Sequence, residues 1–171
     1  MTNQAFTPGD LIELPFGFPG RIFRSPIPFG ALDTRRQLLT RYRDKSIKVI
    51  VLLAGDAEIQ RTTGMELRKY YAEAGYEVIH LPIPDYGIPD AAELALAVSG
   101  AVEKARAGEN IAVHCNAGIG RTGLFLACIA RQALGMTGDE AITWVRSYIP
   151  GALESPEQLD MARSYHGAAL C

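Results

Sequence analysis

The sequence has little cysteine and little histidine: three of each in 171 residues. The cysteines stand at 115, 128 and 171 and form no C-x-x-C pair, so nothing reads as a disulfide framework or a structural zinc site. The histidines are scattered at 80, 114 and 166, which leaves no cluster for a metal. No apolar run is long enough to span a bilayer. The opening MTNQAFTPGD has neither the basic region nor the apolar stretch of a signal peptide. A large net charge is missing too. Seventeen Lys and Arg against 19 Asp and Glu leave −2, and nothing in that balance suggests nucleic-acid binding. These absences predict a soluble, cytoplasmic protein from a reducing compartment, with no metal and no membrane insertion.

What is present is an ordinary globular composition. Hydrophobic residues make up 48% and charged residues 21%, at a length that suits one domain with a sizeable core. The charge is unevenly spread. Residues 21–48 carry eight Arg or Lys against Asp33 and Asp44, about +6, which leaves about −8 for the rest. A solvated helix face explains such a basic stretch most simply; an anionic membrane or a polyphosphate is the alternative.

Residues 1–20 are rich in Pro and Gly and read as an arm lying over the surface, with Phe16 and Phe18 as anchors. Residues 21–171 read as a single domain. RIFRS predicts a short strand, and a basic helix is expected from Asp33, as its cap, to Tyr42. IKVIVLLA is apolar on both faces, as a buried parallel strand is. A helix is expected from Gly64 to Gly75, then the strand YEVIHLPI and the loop PDYGIPD. The helix AAELALAVSGAVEKARAG and the buried strand NIAVHC follow, then the apolar helix TGLFLACIARQALG. Thr137 with Glu140, and Ser155 with Pro156 and Gln158, predict two capped helices at the end. This alternation predicts an α/β fold: a central, mostly parallel sheet of four or five strands flanked by helices.

The stretch VHCNAGIGRTG, Val113–Gly123, fits two phosphate-binding patterns. Gly118, Gly120 and Gly123 spell G-x-G-x-x-G, the dinucleotide fingerprint. That reading requires a second strand ending in an acid about 20 residues on. A second helical pattern stands there instead, so the cofactor reading lacks its context. The other reading is a nucleophile and a guanidinium bracketing a short loop, Cys115 and Arg121. A strand-to-helix loop aims backbone N–H groups at one point, and the helix dipole adds positive potential. Arg121 can grip two phosphate oxygens with its planar fork. The same surroundings favour a thiolate over a thiol.

HCNAGIGRTG resembles the signature loop of the protein tyrosine phosphatase superfamily, the cysteine-based phosphatases. His114, Cys115, Gly118, Arg121 and Thr122 match every fixed position of H-C-x-x-G-x-x-R-[S/T]. IPDYGIP resembles the loop that carries the family's general acid and places Asp85 at that Asp, with Ile83 where tyrosine-specific members have Trp. The resemblance implies a compact, dual-specificity-like phosphoric monoester hydrolase that needs no cofactor. Cys115 is the implied nucleophile, Asp85 the general acid and base, and Arg121 the phosphate grip. The backbone of Asn116, Ala117, Gly118, Ile119, Gly120 and Arg121 is the implied cradle for the phosphoryl oxygens. His114 supports the loop, Thr122 bonds the sulfur, and Gln158 positions the hydrolytic water or caps its helix. Asp90 is the fallback acid, better suited to capping a helix. Cys128 reads as core packing, and His80 and His166 as structural. The expected partner is a phosphorylated protein or a small phosphomonoester. A phosphoinositide or inositol-phosphate substrate is the alternative, as is a module that recognises phosphate without turnover.

Overall fold

Along the strand Ile47–Leu52 successive side chains leave the backbone on opposite sides, and all but Lys48 are buried. Val49 and Val51 enter one core, while Ile50 and Leu52 enter another. Ile111 and Val113 repeat the alternation against Ala112. The sheet therefore lies between two apolar layers, which is the condition for parallel strands.

The computed structural model describes residues 5–167. Its strands are β1 (Ile12–Leu14), β2 (Ile22–Arg24), β3 (Ile47–Leu52), β4 (Glu77–His80) and β5 (Asn110–His114). They lie in the order β1-β2-β5-β3-β4. Only the β1–β2 pair is antiparallel. The helices are α1 (Leu38–Asp44), α2 (Asp56–Thr63), α3 (Leu67–Glu73), α4 (Ala91–Arg106), α5 (Gly120–Leu134), α6 (Gly138–Tyr148) and α7 (Pro156–Ser164). Leu39, Ile59, Leu67 and Tyr71 bring α1, α2 and α3 to one face. Helices α4 to α7 build the other. Helix α5 is buried without interruption from Gly120 to Ala130, because the sheet, α4, α6 and α7 enclose it. The expected mostly parallel α/β sheet is the observed one.

Several local expectations change. Residues 12–14, expected within the surface arm, form the edge strand β1. Phe16 beyond it is buried against Trp144, with ring centroids 5.0 Å apart, and stacks on Phe18. The first helix starts at Leu38, not at Asp33, because Arg36 has a positive φ that breaks any helix before it. The Asp33 carboxylate instead accepts from the amides of Phe29, Gln37 and Leu38 and so closes the preceding turn. The helix expected from Gly64 to Gly75 is α3, Leu67–Glu73, and a helix that was not expected, α2, precedes it. Gly64, in the left-handed region, ends α2 rather than opening a helix. The capping box of Thr137 and Glu140 is present, and Ser155 caps α7 with Pro156 in its first turn.

Phe125 lies fully buried in α5, within the core shared by α4 to α7. Phe125→Ala is expected to cost about 3–5 kcal/mol. The measurement is a lowered urea midpoint at unchanged m value.

Candidate active site

Strand β5 is flanked by β2 and β3, and the chain turns from its C-terminal end directly into α5. Three main-chain bonds fix that turn: Ser25 N–H to Val113 O, Ile27 N–H to Asn116 O and Leu53 N–H to His114 O. The loop of residues 115–119 is thus anchored from both neighbouring strands.

Cys115 is buried at the loop's base. Its Sγ accepts from Gly118 N–H at 3.3 Å and from the Thr122 hydroxyl at 3.2 Å. Helix α5 has no side-chain N-cap, and its first hydrogen bond runs from Gly123 N–H to Ile119 O. The amides of Gly120, Arg121 and Thr122 therefore open into the loop as an anion-binding helix end.

Arg121 is almost wholly buried. Glu58 takes it in a two-point pair, Nη1 to Oε2 at 2.8 Å and Nη2 to Oε1 at 2.7 Å. Nη1 also donates to Ile83 O at 2.9 Å. Of the five guanidinium N–H groups, Nε–H and one on Nη2 remain. The latter faces Asp85 Oδ1 at 3.3 Å. The bond from Arg121 holds the Glu58 carboxyl below its ordinary range against the opposing effect of partial burial.

Asp85 sits on an exposed turn closed by Gly87 N–H to Pro84 O, and its Oδ1 accepts from the Tyr86 amide. Tyr86 has φ +59°, a left-handed conformation that non-glycine residues seldom adopt. Asp90 caps α4 through the amides of Ala92 and Glu93, away from the sulfur's hydrogen bonds. Gln158 is fully buried, not open to the cleft. Its Nε2 donates to Gly87 O and its Oε1 accepts from Glu154 N–H, so it ties the Asp85 turn to the segment before α7. A cleft of about 600 Å³ opens beside the loop, bounded by Glu58, Arg61, Pro84, Asp85 and Asn116.

His114 is buried with both ring nitrogens engaged. Nδ1 meets Cys115 O at 3.0 Å and Nε2 meets the Tyr71 hydroxyl at 2.8 Å. A carbonyl only accepts, so the network assigns the proton to Nδ1, and Tyr71 donates to Nε2. Burial pushes the imidazole down to about 4, with the Cys115 carbonyl opposing. Cys128 is a free, buried thiol whose pKa burial raises, in keeping with core packing. His80 Nε2 donates to Ala54 O at 2.9 Å, and Cys171 lies outside the described residues.

Three residues at the site carry no sequence signal. Glu58 is one of two acids in a polar helix. Glu154 stands over the start of α5, where a Cβ on Gly120 would approach its carboxylate to 3.0 Å. Burial raises its pKa, as does Asp85, with Arg121 opposing. Arg24 lies behind the loop, one of the eight basic residues of the 21–48 stretch with nothing local to single it out.

A family model described as "Polymorphic toxin system, DSP-PTPase phosphatase" matches residues 30–133. The chain belongs to this family. It is thereby a dual-specificity-like member of the protein tyrosine phosphatase superfamily. Protein tyrosine phosphatase domain-containing protein 1 of Mus musculus is 29% identical over 146 residues, 81% of this chain and 19% of that protein. Tyrosine-protein phosphatase cdc-14 of Caenorhabditis elegans is 34% identical over 88 residues, 52% of this chain and 12% of that protein. The chain spans less than a fifth of the length of these relatives. Among solved structures, Tk-PTP in its active form superposes with a TM-score of 0.70 at 29% identity, covering 83% of this chain and 88% of that one. Kinase associated phosphatase gives 0.78 at 19% identity, over 91% of this chain and 93% of that one, a likeness of fold.

The His114 imidazole titrates lower in the folded chain than in the unfolded one. Between about 6.5 and 4 the unfolded chain therefore binds the extra proton. Stability from this group is complete above that window and declines as pH falls through it, by up to about 3 kcal/mol. Urea midpoints at neutral pH and near pH 5 measure the decline, and His114→Asn is expected to narrow it.

Proposed function

We propose that this chain is a metal-independent, dual-specificity-like phosphoric monoester hydrolase. The observation that carries the reading is the Cys115 sulfur, held by Gly118 and Thr122 below an uncapped helix start, with Arg121 and Asp85 at the rim. The phosphoryl group sits on the amides of residues 116–121. It takes the two remaining N–H groups of Arg121, and Asp85 leaves that guanidinium as the anion arrives.

In the first step the Cys115 thiolate attacks phosphorus in line. A sulfur–phosphorus bond forms, the ester phosphorus–oxygen bond breaks, and protonated Asp85 gives its proton to the leaving oxygen. In the second step water gives a proton to Asp85 and attacks phosphorus, and the sulfur leaves as thiolate. The Thr122 hydroxyl stabilises that leaving charge. Gly118 N–H and the helix start stabilise the charge on phosphorus as it redistributes. Gln158 braces the Asp85 turn, a support for the acid's placement.

The single phosphatase domain expected over residues 21–171 takes in β1 as well, since that strand belongs to the one sheet that both helical layers share. The open cleft suits phosphoserine, phosphothreonine and phosphotyrosine alike. Three carboxylates, Glu58, Asp85 and Glu154, surround Arg121. Further phosphates on an inositol ring would meet that negative wall, which favours a monophosphorylated substrate. A thiol nucleophile suits a reducing, cytoplasmic setting.

The test is hydrolysis of p-nitrophenyl phosphate with chelator present. Activity is expected in the parent and only background in Cys115→Ser. No turnover by folded, reduced parent would leave a phosphate-recognition module. Asp85→Asn is expected to lower kcat by about 10²–10³-fold. The parent's rate should fall on both sides of a mildly acidic optimum, since thiolate and protonated carboxyl must coexist; a monotonic rise into alkaline pH would remove Asp85 from its role.

A further inference from the structure

Arg24 heads the large side chains that the fold buries completely, and the mechanism above makes no use of it. It ends β2, paired beside Val113 of β5. Its guanidinium donates to four main-chain carbonyls. Nε meets Gly118 O at 2.9 Å and Nη2 meets Ala117 O at 2.8 Å. Nη1 meets Pro8 O at 3.0 Å and Asp10 O at 3.1 Å. The Phe6 ring lies 5.2 Å away. No carboxylate pairs with it among the described residues, and the Asp10 carboxylate turns to Arg41 instead. Burial pushes Arg24 down to about 10, with Cys115, Tyr42 and Asp10 opposing, so it remains a cation at neutral pH. A buried charge without a carboxylate partner is costly, and it is kept here on four carbonyl oxygens and the face of Phe6.

Two of those carbonyls belong to the phosphate loop. A trans peptide is planar, with its C=O and N–H pointing opposite ways. The Ala117 carbonyl on Nη2 shares its peptide with the Gly118 N–H that meets the Cys115 sulfur. The Gly118 carbonyl on Nε shares its peptide with the Ile119 N–H. The fork therefore holds two successive peptides with oxygens outward and N–H groups toward the loop interior. A charged donor on a carbonyl also polarises the peptide and strengthens its N–H as a donor. Gly118 has φ +73°, and a Cβ there would collide with Ser25 O and the Arg24 guanidinium. Arg24 and a side-chain-free position 118 are thus one arrangement.

We propose that Arg24 is a positioning residue: through the Ala117–Gly118 and Gly118–Ile119 peptides it aims the loop's N–H groups at the Cys115 sulfur and at a bound tetrahedral oxyanion. The charged groups that act on the sulfur are Arg24 from β2 and Arg121 from α5, while His114 beside it is neutral. Glu58 and Asp85 engage Arg121 from the cleft side, Glu154 stands over Gly120, and Tyr42 and Asp10 face Arg24 from behind. The proposal rests on the phosphatase reading for the identity of the oxyanion; its effect on the thiol stands apart from turnover.

The test compares the parent with Arg24→Lys, Arg24→Gln and Arg24→Met, reading whichever variants melt cooperatively. Two properties are measured: iodoacetamide alkylation of Cys115 across pH, and tungstate affinity by calorimetry. Lys keeps the charge but not the fork, Gln keeps one bond without charge, and Met keeps neither. The alkylation profile is expected to move to higher pH in order from Lys to Met. Tungstate affinity is expected to fall about tenfold or more in Met. A folded variant with a lower melting temperature but the parent's alkylation profile and tungstate affinity would make Arg24 a structural clamp and overturn the proposal. A parent that alkylates and binds tungstate but hydrolyses no ester would remove the phosphatase reading alone, and the variants would still decide the role of Arg24.

Discussion

The loop between β5 and α5 must turn its N–H groups inward, and most of the surrounding structure serves that orientation. A peptide cannot present an amide to the inside without presenting a carbonyl to the outside. Each outward carbonyl in a buried place needs a donor. Arg24 answers for Ala117 and Gly118, and the Ile27 amide answers for Asn116. The central position of β5 follows from the same need. Only a strand with neighbours on both sides can have its outgoing loop anchored from two directions, by the chain after β2 and the chain after β3.

The guanidinium of Arg121 is held with comparable strictness. Glu58 and Ile83 O take three of its five N–H groups and fix the plane of the fork. What remains faces the cleft and Asp85. Helix α2 and the loop after β4 thus prepare the arginine before any anion arrives, and the ordering that binding would otherwise require is already done. Gln158 plays the matching part for the Asp85 turn, since one amide spans Gly87 and Glu154. Asp85 itself is exposed, while the Gln158 that braces its turn is buried.

His114 shows how burial decides a role. The same residue type in an open cleft would titrate near neutral pH and carry protons. Enclosed between Tyr71 and the Cys115 carbonyl, it stays neutral and serves as a rigid two-ended strut between α3 and the loop.

Much of the fold and the centre of the site was legible in the residue order. Alternation in IKVIVL, the apolar helix after Arg121 and the caps at Thr137 and Ser155 are local patterns, and local physics realises them. Cys115, Arg121 and Thr122 fall within eight residues, so one strand-to-helix turn is enough to gather them. The helix breaks at Arg36 and Gly64 were harder to read, because a left-handed residue is chosen by the packing around it as much as by its own type. Strand β1 was hidden by its brevity and by the prolines beside it. Glu58, Glu154 and Arg24 could be found only in three dimensions. Glu58 lies 63 residues from Arg121, Glu154 lies 34 from Gly120, and Arg24 lies 93 and 94 from Ala117 and Gly118; a charge in a helix or strand does not announce its partner. By itself the sequence determined the loop from Cys115 to Arg121 and the elements around it, since both depend on neighbours along the chain. The tertiary structure alone decided what orients that loop, because buried carbonyls and guanidinium groups take partners by proximity in space.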